Sequence, residues 1–107
     1  MERLKELRKL LKMTQQQFGE RLKLRHNTIG QYESGTRKMS ETIKKLICKE
    51  YYVNFDWLEH GKGDIFNEKL IISNLSEREL NLIERFKKLN DEQQAYILSL
   101  IDKHIKN

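Results

Sequence analysis

A short polar segment carries the side chains best suited to bind another molecule through hydrogen bonds. His26, Asn27 and Gln31 have imidazole or amide groups, and helical spacing places them on the side of a helix opposite Ile29 and Tyr32. Amide and imidazole groups that project from a helix can bond to base edges in the major groove of DNA. The segment therefore predicts a surface able to read a nucleic-acid sequence.

Two short helices joined by a tight turn must hold this surface outward. Thr14 can cap the first helix, and Gln17, three residues later, can complete a capping box. Phe18 and Leu22 lie one turn apart and give this helix an apolar face. Leu24, in the turn, is expected to fill the small core beneath both helices.

Composition favours an all-α fold. The chain has 107 residues, no proline and five glycines, and it lacks the alternating Val, Thr and aromatic runs of a sheet. This length allows one small domain with an appendage. The single cysteine, Cys48, lies on a helical apolar stripe and is expected to be a core residue. No apolar run reaches membrane-spanning length, so we expect a cytoplasmic protein.

The net charge of +5 is distributed unevenly. Residues 1–66 contain fourteen Lys and Arg against nine Asp and Glu, whereas residues 67–107 contain seven of each kind. The whole positive excess therefore lies in the part that contains the polar helix. A basic region of this kind is typical of nucleic-acid binding. Taken alone, however, the charge is equally consistent with an ordinary surface whose charges keep the protein in solution.

Two sequence motifs resemble a known family. Thr14-Gln15, an apolar-small pair, and T-I-x-x-Y-E-x-G from Thr28 resemble the helix-turn-helix of the lambda-repressor-like transcription factors, also called Cro/repressor or XRE-type. The string NFDWLEHGKGDIF from Asn54 is similar to the end of that family's DNA-binding domain. The resemblance covers residues 1–66 and implies a five-helix domain that binds double-stranded DNA.

Several positions differ from the family pattern, among them Gly19, where Ala is usual. Lys23 replaces the turn glycine, Arg25 replaces the Ser or Thr that caps the recognition helix, and Met39 stands where proline is frequent. A left-handed conformation at Lys23 costs about 1 kcal/mol, and the missing cap at Arg25 costs about as much. These differences concern local geometry and leave the motif intact.

The resemblance assigns roles residue by residue. The recognition helix of this family enters the major groove, which makes Arg25, His26, Asn27 and Gln31 the candidates for base reading. Asn and Gln can pair with adenine, and His can donate to a guanine acceptor. Phosphate contacts are expected from Gln15, Thr28, Arg37 and Lys38, with Lys44 and Lys45 as the less favoured candidates.

The remaining sequence predicts a C-terminal two-helix hairpin. Residues 67–75 are expected to form a linker, in which residues 70–72 could be a short strand, a helical turn or an ordered connection. Residues 76–107 are expected to form an oligomerisation segment. Capping boxes begin at Ser76 and Asn90. Two amphipathic helices alone have little to bury against, so they need either the first domain or a second chain. We expect a homodimer, and packing on the first domain stays open as the alternative. The residues assigned to this contact are Leu80, Ile83, Phe86, Ile97, Leu98, Ile101 and Ile105.

The function that these features favour is a bacterial or phage-encoded repressor that binds an inverted-repeat operator as a dimer. Two alternatives stay open: an antitoxin whose C-terminal helices bind a toxin, and a protein-interaction module that does not bind DNA. An antirepressor is a further candidate partner. We expect neither an enzyme nor a cofactor or metal, because the sequence lacks Cys/His metal spacing, a phosphate-binding glycine loop and a Ser-His-Asp or Ser-Lys set.

Overall fold

The computed structural model describes residues 1–72 and 83–105, and this part of the chain folds into helices without a β-strand. The predicted all-α class is confirmed. The predicted capping box at Ser76 and the residue Leu80 lie outside the described residues, as do the side chains of Ile83, Ile101 and Ile105. No helix in the described ranges is long and apolar enough to cross a membrane. The helices are α1 (Glu2–Leu10), α2 (Gln15–Arg21), α3 (His26–Ser34), α4 (Glu41–Tyr51), α5 (Phe55–His60), α6 (Glu68–Ile72), α7 (Ile83–Lys87) and α8 (Asp91–Ile105).

The first five helices share one apolar core. Leu4 and Leu7 from α1, Phe18 from α2, Ile29 from α3 and Leu58 from α5 are completely buried in it. Full burial of a side chain of this size contributes roughly 1.5–3 kcal/mol. The core therefore fixes the positions of α2 and α3, which carry the predicted site.

Two helix ends differ from the expectation. The leucine stripe of Leu4, Leu7, Leu10 and Leu11 predicts a first helix that reaches Lys12, but α1 ends at Leu10, because Lys12 adopts a left-handed conformation with φ of 56°. Asn54 occupies the N-cap position of α5 without a side-chain cap hydrogen bond. Its backbone N–H donates instead to the carbonyl oxygen of Ile65 at 2.7 Å, which ties the start of α5 to the following segment.

Helix α4 presents a narrower apolar face than predicted. Ser40 is a preferred N-cap residue and caps the helix, accepting the Ile43 N–H at 3.2 Å. The spacing of Ile43, Leu46 and Ile47 predicts that all three point inward. Ile47 and Cys48 are buried, but Leu46 is 40% exposed. Cys48 is a core residue, as predicted, and burial raises the pKa of its thiol to about 11.

The segment after residue 66 is helical and packed. Asn67 accepts the Lys69 N–H through its side chain at 3.0 Å and so starts α6. Ile71, on this helix, is 1% exposed and belongs to the core cluster. Of the three interpretations left open for residues 70–72, the helical turn is the correct one. This part of the predicted linker is therefore fixed to the domain.

The two C-terminal helices pack on the same domain. Asn90 and Gln93 form the predicted capping box between α7 and α8, with reciprocal hydrogen bonds of 2.8 and 3.1 Å. Helix α8 lies against α1. Phe86 and Leu98, both assigned to the dimer contact, are 7% and 3% exposed and join the core of their own chain. Their burial is a correction to the exposed apolar surface that the sequence suggested.

Candidate nucleic-acid interface

The capping box at the start of α2 is present as predicted. The Gln17 N–H donates to Thr14 Oγ1 at 3.1 Å, and the Thr14 N–H donates to Gln17 Oε1 at 2.9 Å. Two N–H groups that the first helical turn would leave unpaired are thereby satisfied. The cap fixes where α2 begins and, with it, the position of Gln15 beside α3.

The turn between α2 and α3 lies directly against α2. The Leu24 N–H donates to the Gly19 carbonyl oxygen at 2.8 Å, and Lys23 has the left-handed φ of 59° that its place in the turn requires. A Cβ atom at Gly19 would lie 2.6 Å from the Leu24 carbonyl oxygen. This close approach sets the distance between the two helices of the motif.

A buried charged network joins α1, α2 and α3. Arg8 holds Glu33 through Nε to Oε2 at 2.6 Å and Nη2 to Oε1 at 3.1 Å. Gln15 adds a hydrogen bond from its Nε2 to Glu33 Oε1 at 3.2 Å, and Arg8 also donates to the Met13 carbonyl oxygen. Glu33 is 6% exposed. Removal of one partner from such a buried pair costs about 3–5 kcal/mol, so the network holds the motif rigidly against α1.

The predicted base-reading residues are all on the surface. Arg25 is the N-cap of α3 and, as expected, makes no side-chain cap hydrogen bond. Arg25, His26, Asn27 and Gln31 are exposed, whereas Thr28 is half-buried beside them. These four exposed residues will be called the reading face. Its geometry permits contact with base edges, and the individual roles stay predictions.

Two cations flank the end of α3. Arg37 and Lys38 are exposed, and within the described residues neither forms an ion pair with a carboxylate. The Arg37 guanidinium lies over the Tyr32 ring, 5.7 Å from its centroid, and the Arg37 N–H donates to the Gln31 carbonyl oxygen. These contacts place a positive charge at the C-terminal end of the reading face, where a phosphate can approach it.

Lys44 has a different environment from the other predicted phosphate contacts. Its Nζ lies 2.6 Å from Glu59 Oε2, and its side chain is 14% exposed. The hydrogen bond from Lys44 lowers the pKa of the Glu59 carboxyl below its ordinary value. A phosphate would have to displace this carboxylate, so Lys44 serves first to join α4 to α5. Lys45 pairs with Glu41 across one exposed helical turn.

Sequence reasoning missed two features of the site. The roles of Arg8 and Glu33 were not predicted, because the two residues are 25 positions apart and belong to different helices. Gly30 also has a neighbour that the sequence did not indicate: a Cβ atom there would lie 3.4 Å from Gln15 Nε2. The one signal in the sequence is Glu33 itself, because a carboxylate on the apolar face of a helix needs a partner when it is buried.

The fold and the site together define a helix-turn-helix protein with an exposed polar recognition helix. A family model described as helix-turn-helix matches residues 4–58, just over half of the chain. The chain belongs to this family, the Cro/C1-type or XRE-type DNA-binding transcriptional regulators of the lambda-repressor-like class. Neither a curated protein nor a solved structure matches it.

Proposed function

We propose that this protein is a sequence-specific repressor that binds an inverted-repeat operator, with the reading face in the major groove. The strongest support is that Arg25, His26, Asn27 and Gln31 are exposed on α3. The opposite face of this helix is buried in the core through Ile29 and Tyr32. A well-placed bidentate contact from a residue of the reading face discriminates between bases by about 1–3 kcal/mol. Repression then follows from occupation of a promoter.

Affinity and register come from contacts with the DNA backbone around the reading face. Arg37 and Lys38 would hold phosphates beyond the end of α3, and Gln15 and Thr28 would contact phosphates near its start. Lys44 is not part of this proposal, because its ammonium group is already paired with Glu59. Each cation that neutralises a phosphate also releases counterions, so binding should weaken steeply as salt increases.

A dimer would place two reading faces on one operator. Phe86 and Leu98 are buried in their own chain, so the contact needs other side chains of α8. Tyr96 and Leu100 are one helical turn apart and are 60% and 38% exposed. A dimer is needed because a single recognition helix reads only a few base pairs. We assign the contact with a second copy to Tyr96 and Leu100 because they are exposed.

Selection of bound duplexes from a random pool tests this function. We expect one enriched motif made of two inverted half-sites whose centres are about one DNA turn, roughly 10 base pairs, apart. The affinity for that motif should fall linearly with salt on logarithmic axes. No enrichment, together with binding that does not respond to salt, would contradict the proposal and favour the interaction module. A single unpaired half-site would contradict the dimer alone.

We also propose that the protein comes from a phage or a mobile element and acts in the cytoplasm. Its proposed further partner is an antirepressor. The antitoxin alternative also requires DNA binding, but it predicts that Tyr96 and Leu100 hold a toxin. Sedimentation of the purified protein separates the two: a dimer at micromolar concentration that dissociates on substitution of Leu100 supports the repressor.

A further inference from the structure

The side chain of Gln15 reaches from α2 to the middle of the recognition helix. A Cβ atom at Gly30 would lie 3.4 Å from Nε2, 3.5 Å from Oε1 and 3.7 Å from Cδ of Gln15. Gly30 lies three residues after Asn27, one helical turn along α3, and so borders the reading face. The amide of Gln15 therefore lies in contact distance of the position that a Cβ atom of residue 30 would take.

One hydrogen bond fixes the orientation of this amide. Gln15 Nε2 donates to Glu33 Oε1 at 3.2 Å, which uses one of its two N–H groups. Glu33 is 6% exposed, so water does not compete freely for its oxygen atoms. Arg8 binds both oxygens of the same carboxylate and balances its charge. An anion can thus approach Gln15 without meeting an uncompensated negative charge.

We propose that Glu33 is a positioning residue for DNA binding: it holds the amide of Gln15 over Gly30 so that the second N–H donates to a phosphate. This inference rests on the proposed function, since it concerns how the same surface contacts DNA. It gives Glu33 a role beyond the stability of the fold. It also explains why a glycine at position 30 suits the site, because a long side chain there would occupy the volume that Gln15 fills.

Glu33→Gln is the variant that separates the two roles. A carboxamide has one acceptor oxygen, and Arg8 Nε makes the shortest contact, so the oxygen should stay at the Oε2 position. The new NH₂ group then faces both Gln15 Nε2 and Arg8 Nη2, which donate to Oε1 in the wild type, so donors oppose each other at both contacts. The amide of Gln15 should turn away from its present orientation, while the shape of the buried residue hardly changes.

A double-mutant cycle measures the coupling. Affinities of the full chain for the selected operator duplex are compared for the wild type, Gln15→Ala, Glu33→Gln and the double variant. We expect Gln15→Ala to weaken binding about tenfold, the effect of one hydrogen bond to a charged group. Glu33→Gln should weaken binding similarly, and the double variant should bind no more weakly than Gln15→Ala. Losses that multiply would overturn the inference.

Gly30→Ala is the matched control. The new methyl group would make ordinary contact with the Gln15 amide, so the affinity should stay within about twofold of the wild type. A loss of tenfold or more would mean that DNA approaches Gly30 directly, and this would overturn the assigned position of Gln15. Circular dichroism at the assay temperature identifies which variants are folded.

Nuclear magnetic resonance of the wild type tests the inference even if Glu33→Gln fails to fold. One side-chain amide proton of Gln15 should be shifted downfield in the free protein, and the other should shift only when operator duplex is added. Absence of either shift would overturn the role of Glu33. If the wild type binds no duplex at all, the proposed function fails as well; if it binds with independent losses at Gln15 and Glu33, only this inference fails.

Discussion

At the scale of single residues, the orientation of α3 depends on what it buries. Ile29 is completely buried and Tyr32 is 5% exposed, while Asn27 and Gln31 are on the surface. Rotation of the helix about its axis would expose both apolar side chains at a cost of roughly 1.5–3 kcal/mol each. Glu33 adds a third constraint through its pairing with Arg8. The reading face is thus held by the side chains behind it.

Arg37→Ala should weaken the binding of every DNA sequence to a similar degree. Arg37 lies over the Tyr32 ring and forms no ion pair within the described residues, so its charge is available to a phosphate. Titration of cognate and random duplexes at several salt concentrations checks this, and the slope of log K against log salt should become shallower by about one. Arg85→Ala, an exposed arginine on α7, should leave both affinities unchanged. A selective loss of cognate binding would contradict the phosphate role of Arg37.

Helical periodicity was enough to predict which residues of α3 face outward. It could not reveal that Arg8 and Gln15 share Glu33, because contacts between residues 25 and 18 positions apart depend on the tertiary fold. It also could not show that Lys44 is committed to Glu59, since exposed and paired lysines have the same sequence signature. Ion pairing therefore limits which predicted cations are available to DNA.

At the scale of helices, the contact between α2 and the turn requires a glycine. Gly19→Ala should lower the free energy of unfolding by about 1–2 kcal/mol, because the new Cβ atom would lie 2.6 Å from the Leu24 carbonyl oxygen. Overpacking costs roughly 1–3 kcal/mol, and the better helix propensity of alanine returns about 0.5–1 kcal/mol.

Gly30→Ala is the control for this substitution in urea unfolding. It replaces a helical glycine with space for a methyl group, so it should stabilise the fold by about 0.5–1 kcal/mol. Changes of opposite sign at the two glycines are the expected pattern, with the larger change at Gly19. A Gly19→Ala variant as stable as the wild type would contradict the tight turn.

The contact between α4 and α5 should make stability depend on pH. The hydrogen bond from Lys44 lowers the pKa of Glu59, so the folded state holds the carboxylate charged at a pH where the unfolded chain begins to protonate it. The stabilisation is therefore present above the ordinary glutamate pKa of 4.5 and is lost as the pH falls through the lowered value.

Lys44→Met removes this contribution with little change in packing. The melting temperature of the variant should fall below that of the wild type at pH 7, and the difference should shrink as the pH falls below 4.5 and through the lowered pKa of Glu59. Lys45→Met, which breaks only the exposed pair with Glu41, should change the melting temperature little at any pH. A difference that stays constant across this range would rule out the ion pair as its cause.

Helix starts proved easier to predict than helix ends. The caps at Thr14, Ser40 and Asn90 combine a side-chain acceptor with a local N–H, so sequence alone specifies them. The end of α1 depends on a left-handed Lys12, a residue that carries no local signal for that conformation. The helix at residues 68–72 depends on the burial of Ile71 by other parts of the chain.

At the scale of the whole molecule, the C-terminal helices extend the core of the DNA-binding domain. The sequence predicted two amphipathic helices and left open whether they pack on the first domain or on a second copy. Phe86, Ala95 and Leu98 are buried against the first domain, while Tyr96 and Leu100 face outward. Amphipathic periodicity shows that a face will be covered, but it does not show by what.

Leu98→Ala and Leu100→Ala should have different effects although they lie on the same helix. Leu98 is 3% exposed, so its truncation should lower the free energy of unfolding by about 2–5 kcal/mol. Leu100 is 38% exposed, so its truncation should leave the monomer stable and reduce the dimer fraction in sedimentation or light scattering. An unchanged dimer in Leu100→Ala together with Tyr96→Ala would contradict the proposed contact.

Recognition of a DNA sequence by the reading face of α3 is tested most directly by Gln31→Ala. The affinities of the wild type and the variant are measured by fluorescence anisotropy against the selected operator and a scrambled duplex, at the same salt. We predict that Gln31→Ala loses about 1–3 kcal/mol of binding free energy for the operator and nothing for the scrambled duplex. Equal losses for both duplexes, or no loss for either, would contradict base reading by this face.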